Sequence, residues 1–141
     1  MNTIYTLGTG RRSEEDFIEI LLSYGIERVI DVRTLPKSKN PAFTGDYLED
    51  LLKREGIGYH FLGKELGGFR KGGFTAYTLT DAFIGGIEIL ESIALEGPSV
   101  IICAERFPWK CHRKWISREL HRRGWLVEHI IEKDRVWIPR D

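Results

Sequence analysis

A single three-layered α/β domain with a largely parallel central sheet and a C-terminal hairpin is the fold class this sequence predicts. Three observations predict it. Short β-branched runs alternate with amphipathic helical stretches. The strand-like runs are apolar through both faces, as strands covered by helices on each side must be. The 141 residues, 42% hydrophobic and 30% charged, suit one core spanning 1–141 and leave little material for a second.

The run Thr3-Ile4-Tyr5-Thr6-Leu7 reads as a strand stopped by Gly8-Thr9-Gly10. Ser13 with Asp16 three residues on marks a helix start. The helix over 14–24 puts Phe17, Ile18, Leu21 and Leu22 on one face, with Gly25 as its stop. Residues 28–32 read as a buried strand. The segment 34–44 holds Pro36 and Pro41 and is irregular, and 45–55 fits a helix with Tyr47, Leu48, Leu51 and Leu52 inward. A brief strand is expected over 59–61.

The glycine-rich stretch 62–77 is expected to stay out of the core and to be functional or mobile, being too long for an idle connection. Thr80-Asp81 opens a helix over 82–95 with Phe83, Ile87, Leu90 and Ala94 inward, and 99–103 follows as a strand. Pro108 is placed to begin a helix over 108–123 that Gly124 ends. Residues 125–131 and 135–138 flank Glu132-Lys133-Asp134 as a hairpin. The strands 4–7, 28–32 and 100–103 are expected to be central neighbours, with Cys103 buried. Right-handed crossovers then collect the strand C-terminal ends at one edge, where ligands bind in such folds.

Charge and composition narrow the function. Lys+Arg and Asp+Glu are 21 each, so attraction to nucleic acid or a membrane surface as a whole-molecule property is excluded, and any such binding is local. No apolar run approaches the roughly 20 residues of a membrane span, and Met1-Asn2-Thr3 lacks a signal-peptide pattern, so a cytoplasmic location without membrane contact is expected. Gln is absent and Asn stands only at 2 and 40, a composition expected of a thermophilic source.

Three loops are expected to meet in one cleft: 8–12, 31–33 and 103–113. Arg33 and Arg113 have the planar fork that grips phosphate or carboxylate. Asp31 either joins them or ties down a loop. Glu105 is the candidate general acid or base, and an arginine is expected to pair with it. Cys111, in the first turn of a helix beside Lys110, His112 and Arg113, has the surroundings of a lowered thiol pKa. Cys103 is either a second nucleophile or a small buried hydrophobe. A Cys103–Cys111 disulfide is geometrically open, as a redox device or as a staple. Gly67-Gly68 is expected to join Arg33, Glu105, Cys111, His112 and Arg113 around that cleft as its lid or wall.

These residues suggest an enzyme acting on a small anionic substrate, and the sequence leaves its cofactor, if any, unknown. Cys103, Glu105, Cys111, His112 and His129 offer zinc-ligand chemistry, but adjacent Cys111 and His112 point about 100° apart on a helix, so no metal site is expected. The alternative is a nucleic-acid-binding module using the helix 108–123. Its Lys110, Lys114, Arg118 and Arg122 recur every four residues, and Trp109 and Trp115 offer stacking surfaces. A solvated helix face explains the same stripe, and the acidic segment 81–105 is placed to neutralise it.

Five motifs occur in order: Asp31-Val32-Arg33-x-x-Pro36-x-Ser38, Leu66-Gly67-Gly68, Cys103-Ala104-Glu105, Cys111-His112-Arg113 and Val127-x-His129-Ile130. Together they resemble the domain of unknown function 488 family over nearly the whole chain. The resemblance implies sites without a reaction, since that family has no established activity. Where members often have Gly-His-Ser in the first turn, this chain has Gly8-Thr9-Gly10. Ile30-Asp31-Val32-Arg33 is also similar to the strand end of rhodanese-like domains. Their catalytic loop is not matched, because Trp109 stands where the anion-binding arginine belongs and the loop 103–113 is longer.

Overall fold

Three strands with apolar residues on both faces form the centre of the sheet: β1 (Thr3–Gly8), β2 (Arg28–Asp31) and β4 (Ser99–Cys103). A computed structural model describes residues 2–38 and 40–139. With β3 (Gly58–Phe61), β5 (Leu126–Glu132) and β6 (Arg135–Trp137) the order is β3-β2-β4-β1-β5-β6. Every pairing is parallel except the β5–β6 hairpin.

The two faces carry separate cores. One face packs α1 (Glu14–Ser23) and α2 (Gly45–Arg54) through Phe17, Leu21 and Leu48, joined by Phe43 from the 3-10 turn Pro41–Phe43. The other packs α3 (Gly63–Leu66), α4 (Phe74–Tyr77), α5 (Asp81–Ala94) and α6 (Arg113–Arg122) through Leu66, Phe83, Ile87 and Leu120. The caps behave as their residues require: Ser13 accepts from the Asp16 N–H, and Thr80 from that of Phe83. The connection through α1 carries the chain from β1 past β4 to β2, and the one through α6 carries it from β4 past β1 to β5, on the opposite face. The strand order therefore reverses between β1 and β4, the place where an open α/β sheet leaves a crevice at its carboxyl edge.

Leu22 and Tyr47, expected inward on α1 and α2, are exposed, with Ile20 buried on α1 instead; two further expectations are corrected. The glycine-rich stretch does enter the core: α3 and α4 form within it, and Leu66 and Phe74 are buried. Its apolar residues outweigh its glycines once α5 provides a surface to cover. The basic helix does not run over 108–123. Pro108–Lys110 is a 3-10 turn, Cys111 is extended, and α6 begins at Arg113. The break lets Arg113 join Ile116, Ser117 and Leu120 on the buried face of α6. Lys110 thus leaves the stripe. Among the described residues no helix is long and apolar enough to cross a membrane.

Candidate active site

At the reversal point, the β1 residue Gly8 pairs with Cys103 at the end of β4. A Cβ at Gly8 would lie 2.1 Å from the Glu105 carbonyl oxygen, so only glycine lets the chain after β4 cross here. The turn after β1 is closed onto that chain. The Thr9 and Gly10 N–H groups donate to the Cys103 and Ala104 carbonyls at 2.8 and 2.9 Å. The buried Arg12 donates to the Gly8 and Ile131 carbonyls. No N–H cradle for an anion remains in residues 8–10.

The crossing chain returns a second sulfur to the first. Cys111 Sγ lies 3.2 Å from Cys103 Sγ, and both cysteines are free thiols. Cys103 is buried, whereas Cys111 is half-buried. Cys111 precedes α6 rather than lying in its first turn, yet its sulfur accepts the first helical N–H, that of Arg113, at 3.4 Å. The Arg113 side chain adds an Nε–H bond to the same sulfur at 3.3 Å. The remaining Arg113 donors go to Thr6 Oγ1 at 3.0 Å and to the Glu105 and Arg106 carbonyls.

Arg113 is 0% exposed and has no carboxylate partner among the described residues. A buried guanidinium needs a counter-charge, and among the described residues Cys111 is the one group in contact with it that can supply one. The hydrogen bond from Cys103, with those from His112 and Arg113, holds the Cys111 thiol well below its ordinary range against the opposing effect of burial. The same sulfur contact and burial push Cys103 up. The pair is therefore a thiol donating to a thiolate.

Two more residues complete the surroundings. Thr6 Oγ1 accepts from Arg113 and gives its single hydrogen to His129 Nδ1 at 2.6 Å. Burial and the nearby Arg113 charge lower the His129 pKa to about 4, keeping the ring neutral. His112 donates from Nε2 to the Val32 carbonyl at 2.8 Å and meets the Phe74 ring edge-on. A Cβ on Gly68 would come within 2.8 Å of His112 Nδ1, so Gly68 is a wall against that ring.

The expected single cleft divides in two. Cys103, Cys111, His112 and Arg113 gather on the α5–α6 face, while Asp31 and Arg33 lie by the α2 face. The strand ends at Asp31, so Arg33 curls back: Nε donates to Oδ1 at 2.9 Å and Nη2 to Oδ2 at 2.7 Å. Its Nη1 holds the Phe43 carbonyl, and Tyr59 adds a bond to Asp31. Asp31 and Arg33 thus tie the loop, and neither Arg33 nor Arg113 keeps a fork for an outside anion. Gly67 packs against Gly63 and Thr34, between these places. The Glu105 carboxylate accepts the Phe107 N–H instead of pairing with an arginine among the described residues; its carbonyl is what Arg113 holds.

The basic segment is largely engaged. Arg106 pairs with Glu132, Arg122 with Glu119, and Arg123 with Glu119 and Glu91, so the acidic segment does neutralise part of it. Lys110, Lys114 and Arg118 remain to serve a nucleic-acid reading. Among the described residues no three His, Cys, Asp or Glu side chains group to hold a metal ion.

Thr6 and His129 were not legible as site residues in these roles. His129 stands out as a ligand type and within the motif Val127-x-His129-Ile130, but a polar residue at an inward position of an apolar strand does not reveal its partner until the register Thr6 to His129 is known. Arg113 did carry a signal, since 113, 116, 117 and 120 share one helical face.

The family described as Domain of unknown function DUF488 matches residues 13–120. No curated protein and no solved structure matches the chain, the looser rhodanese-like likeness included.

Proposed function

The chain belongs to the DUF488 family, and from that premise we propose that it is a thiol enzyme in which the Cys111 thiolate is the nucleophile and Cys103 the resolving thiol. The observation that carries this reading is the 3.2 Å sulfur contact beside the buried Arg113 guanidinium. A lone activated cysteine would serve acyl or phosphoryl transfer equally well. A second thiol in contact with it favours two-electron sulfur chemistry.

The substrate class is a small disulfide. Cys111 Sγ attacks one substrate sulfur, the substrate S–S bond breaks, and the departing thiolate takes the proton of Cys103. The Cys103 thiolate then attacks Cys111 Sγ, closing an internal disulfide and releasing the second thiolate, which is protonated from water. The substrate gains two electrons and the protein thiols lose them; an external dithiol restores the pair. Thr6 and His129 act as positioning residues through Arg113. Arg33 stays in its ion pair with Asp31, and Glu105 serves through its carbonyl.

Mixing the reduced full chain with glutathione disulfide tests the reading. The native protein should proceed to the internal disulfide, and Cys103→Ser should stop with glutathione on Cys111. A Cys103→Ser variant that folds and collects no adduct on Cys111 would contradict the mechanism.

A further inference from the structure

Behind His129, between α6 and the β5–β6 hairpin, lies a cavity of about 500 Å³ that the thiol chemistry does not use. Its volume falls within the roughly 300–1,000 Å³ typical of small-molecule sites. Trp109 and Trp137 make its aromatic corner, meeting edge-on with centroids 5.1 Å apart at 75°. Trp137 in turn stacks on the His129 ring at 5.5 Å.

Polar groups in the wall are short of partners. Ser117 Oγ is buried with no hydrogen bond. His129 is buried and neutral, with Nδ1 bonded to Thr6, so its second nitrogen carries the proton and has no partner among the described residues. Lys114 and Arg118 bring positive charge, both lying over the Trp115 ring, and neither has a carboxylate partner among the described residues. Among the described residues no Asp or Glu lines the cavity.

We infer that this cavity binds a small aromatic anion: a planar ring seated on Trp109 and Trp137, with a phosphate or carboxylate held by Lys114 and Arg118. A quaternary or protonated amine, the usual guest of an aromatic corner, is disfavoured by two cations with no compensating acid among the described lining residues. The Ser117 hydroxyl and the His129 N–H supply the donors that fix a ring with acceptor atoms. The proposal stands apart from the thiol reading, since no sulfur enters it.

The test is calorimetric titration of the full chain, followed in parallel by tryptophan fluorescence, with four probes: AMP, indole-3-acetate, inorganic phosphate and benzyltrimethylammonium. Saturable one-to-one binding of AMP or of indole-3-acetate is expected, the stronger of the two assigning phosphate or carboxylate as the anion. Phosphate without a ring, and the aromatic cation, should bind at least about tenfold more weakly. Trp109→Ala and Arg118→Glu, both at solvent-facing positions, should each weaken binding about tenfold or more with an unchanged thermal midpoint. Cys103→Ser should bind as the native chain does, so loss of thiol chemistry leaves this result intact. No saturable binding of either aromatic anion up to about 5 mM, equal binding by the cation, or affinity untouched in both cavity variants would overturn the proposal.

Discussion

The Nε of Arg113 lies 3.3 Å from Cys111 Sγ, and this contact gives a fully buried guanidinium its anion. The relationship runs both ways. The cation keeps the sulfur ionised, and the ionised sulfur makes the cation tolerable in the interior. Cys111→Ala should therefore destabilise the fold by about 3–5 kcal/mol, the cost of leaving a buried charge unpaired, rather than the smaller loss of one thiol. Urea unfolding at neutral pH measures it. A loss below about 1 kcal/mol would mean that Cys111 is not the counter-charge.

His129 sets a pH dependence of stability. Its folded pKa of about 4 lies below the ordinary 6.5, so the unfolded chain takes up the proton first. The stability it contributes is present above pH 6.5 and is lost as pH falls toward 4, in total about 3 kcal/mol. His129→Asn, which keeps an acceptor for Thr6, should flatten that part of the curve. Chemical unfolding at a series of pH values from 4 to 7 compares the two proteins; parallel curves would refute the assignment.

The strands and the long helices were legible because an apolar run or a helical stripe needs only local residues to specify it. Residues 99–103 were read as a strand to the residue, and so were the inward Phe83, Ile87, Leu90 and Ala94 of α5. Of the candidate site, the sequence offered only the cysteines and their cationic neighbours. That Arg33 turns back on Asp31 depends on the chain leaving the sheet at Val32, which strand periodicity does not encode. That Arg113 is buried depends on a helix break at Cys111, where Pro108 alone suggested an earlier start.

Asp31 is expected to support the fold rather than the chemistry. Asp31→Ala removes the acceptor for two Arg33 bonds and the Tyr59 hydroxyl, and should lower stability by about 3–5 kcal/mol while leaving Cys111 alkylation at low pH intact. Unfolding and alkylation run on the same sample check both halves. Loss of thiol reactivity in a folded Asp31→Ala protein would bring Asp31 into the site.

Oxidation to the Cys103–Cys111 disulfide removes the anion that Arg113 faces, so the reduced form is the favoured one. The couple should therefore be more oxidising than the roughly −270 mV of thioredoxin. Equilibration against glutathione buffers with trapping of free thiols gives the potential, and a value more negative than thioredoxin's would show that the thiolate gains nothing from Arg113.

Alkylation of the reduced native chain by iodoacetamide across pH, with each site assigned by mass spectrometry, tests the central claim most directly. A Cys111 thiolate held by Cys103, His112 and Arg113 should react at a nearly constant rate from about pH 5 to 8, well before Cys103. A Cys111 rate that climbs about tenfold per pH unit toward the 8.5 of a free cysteine, or prior reaction of Cys103, would contradict it.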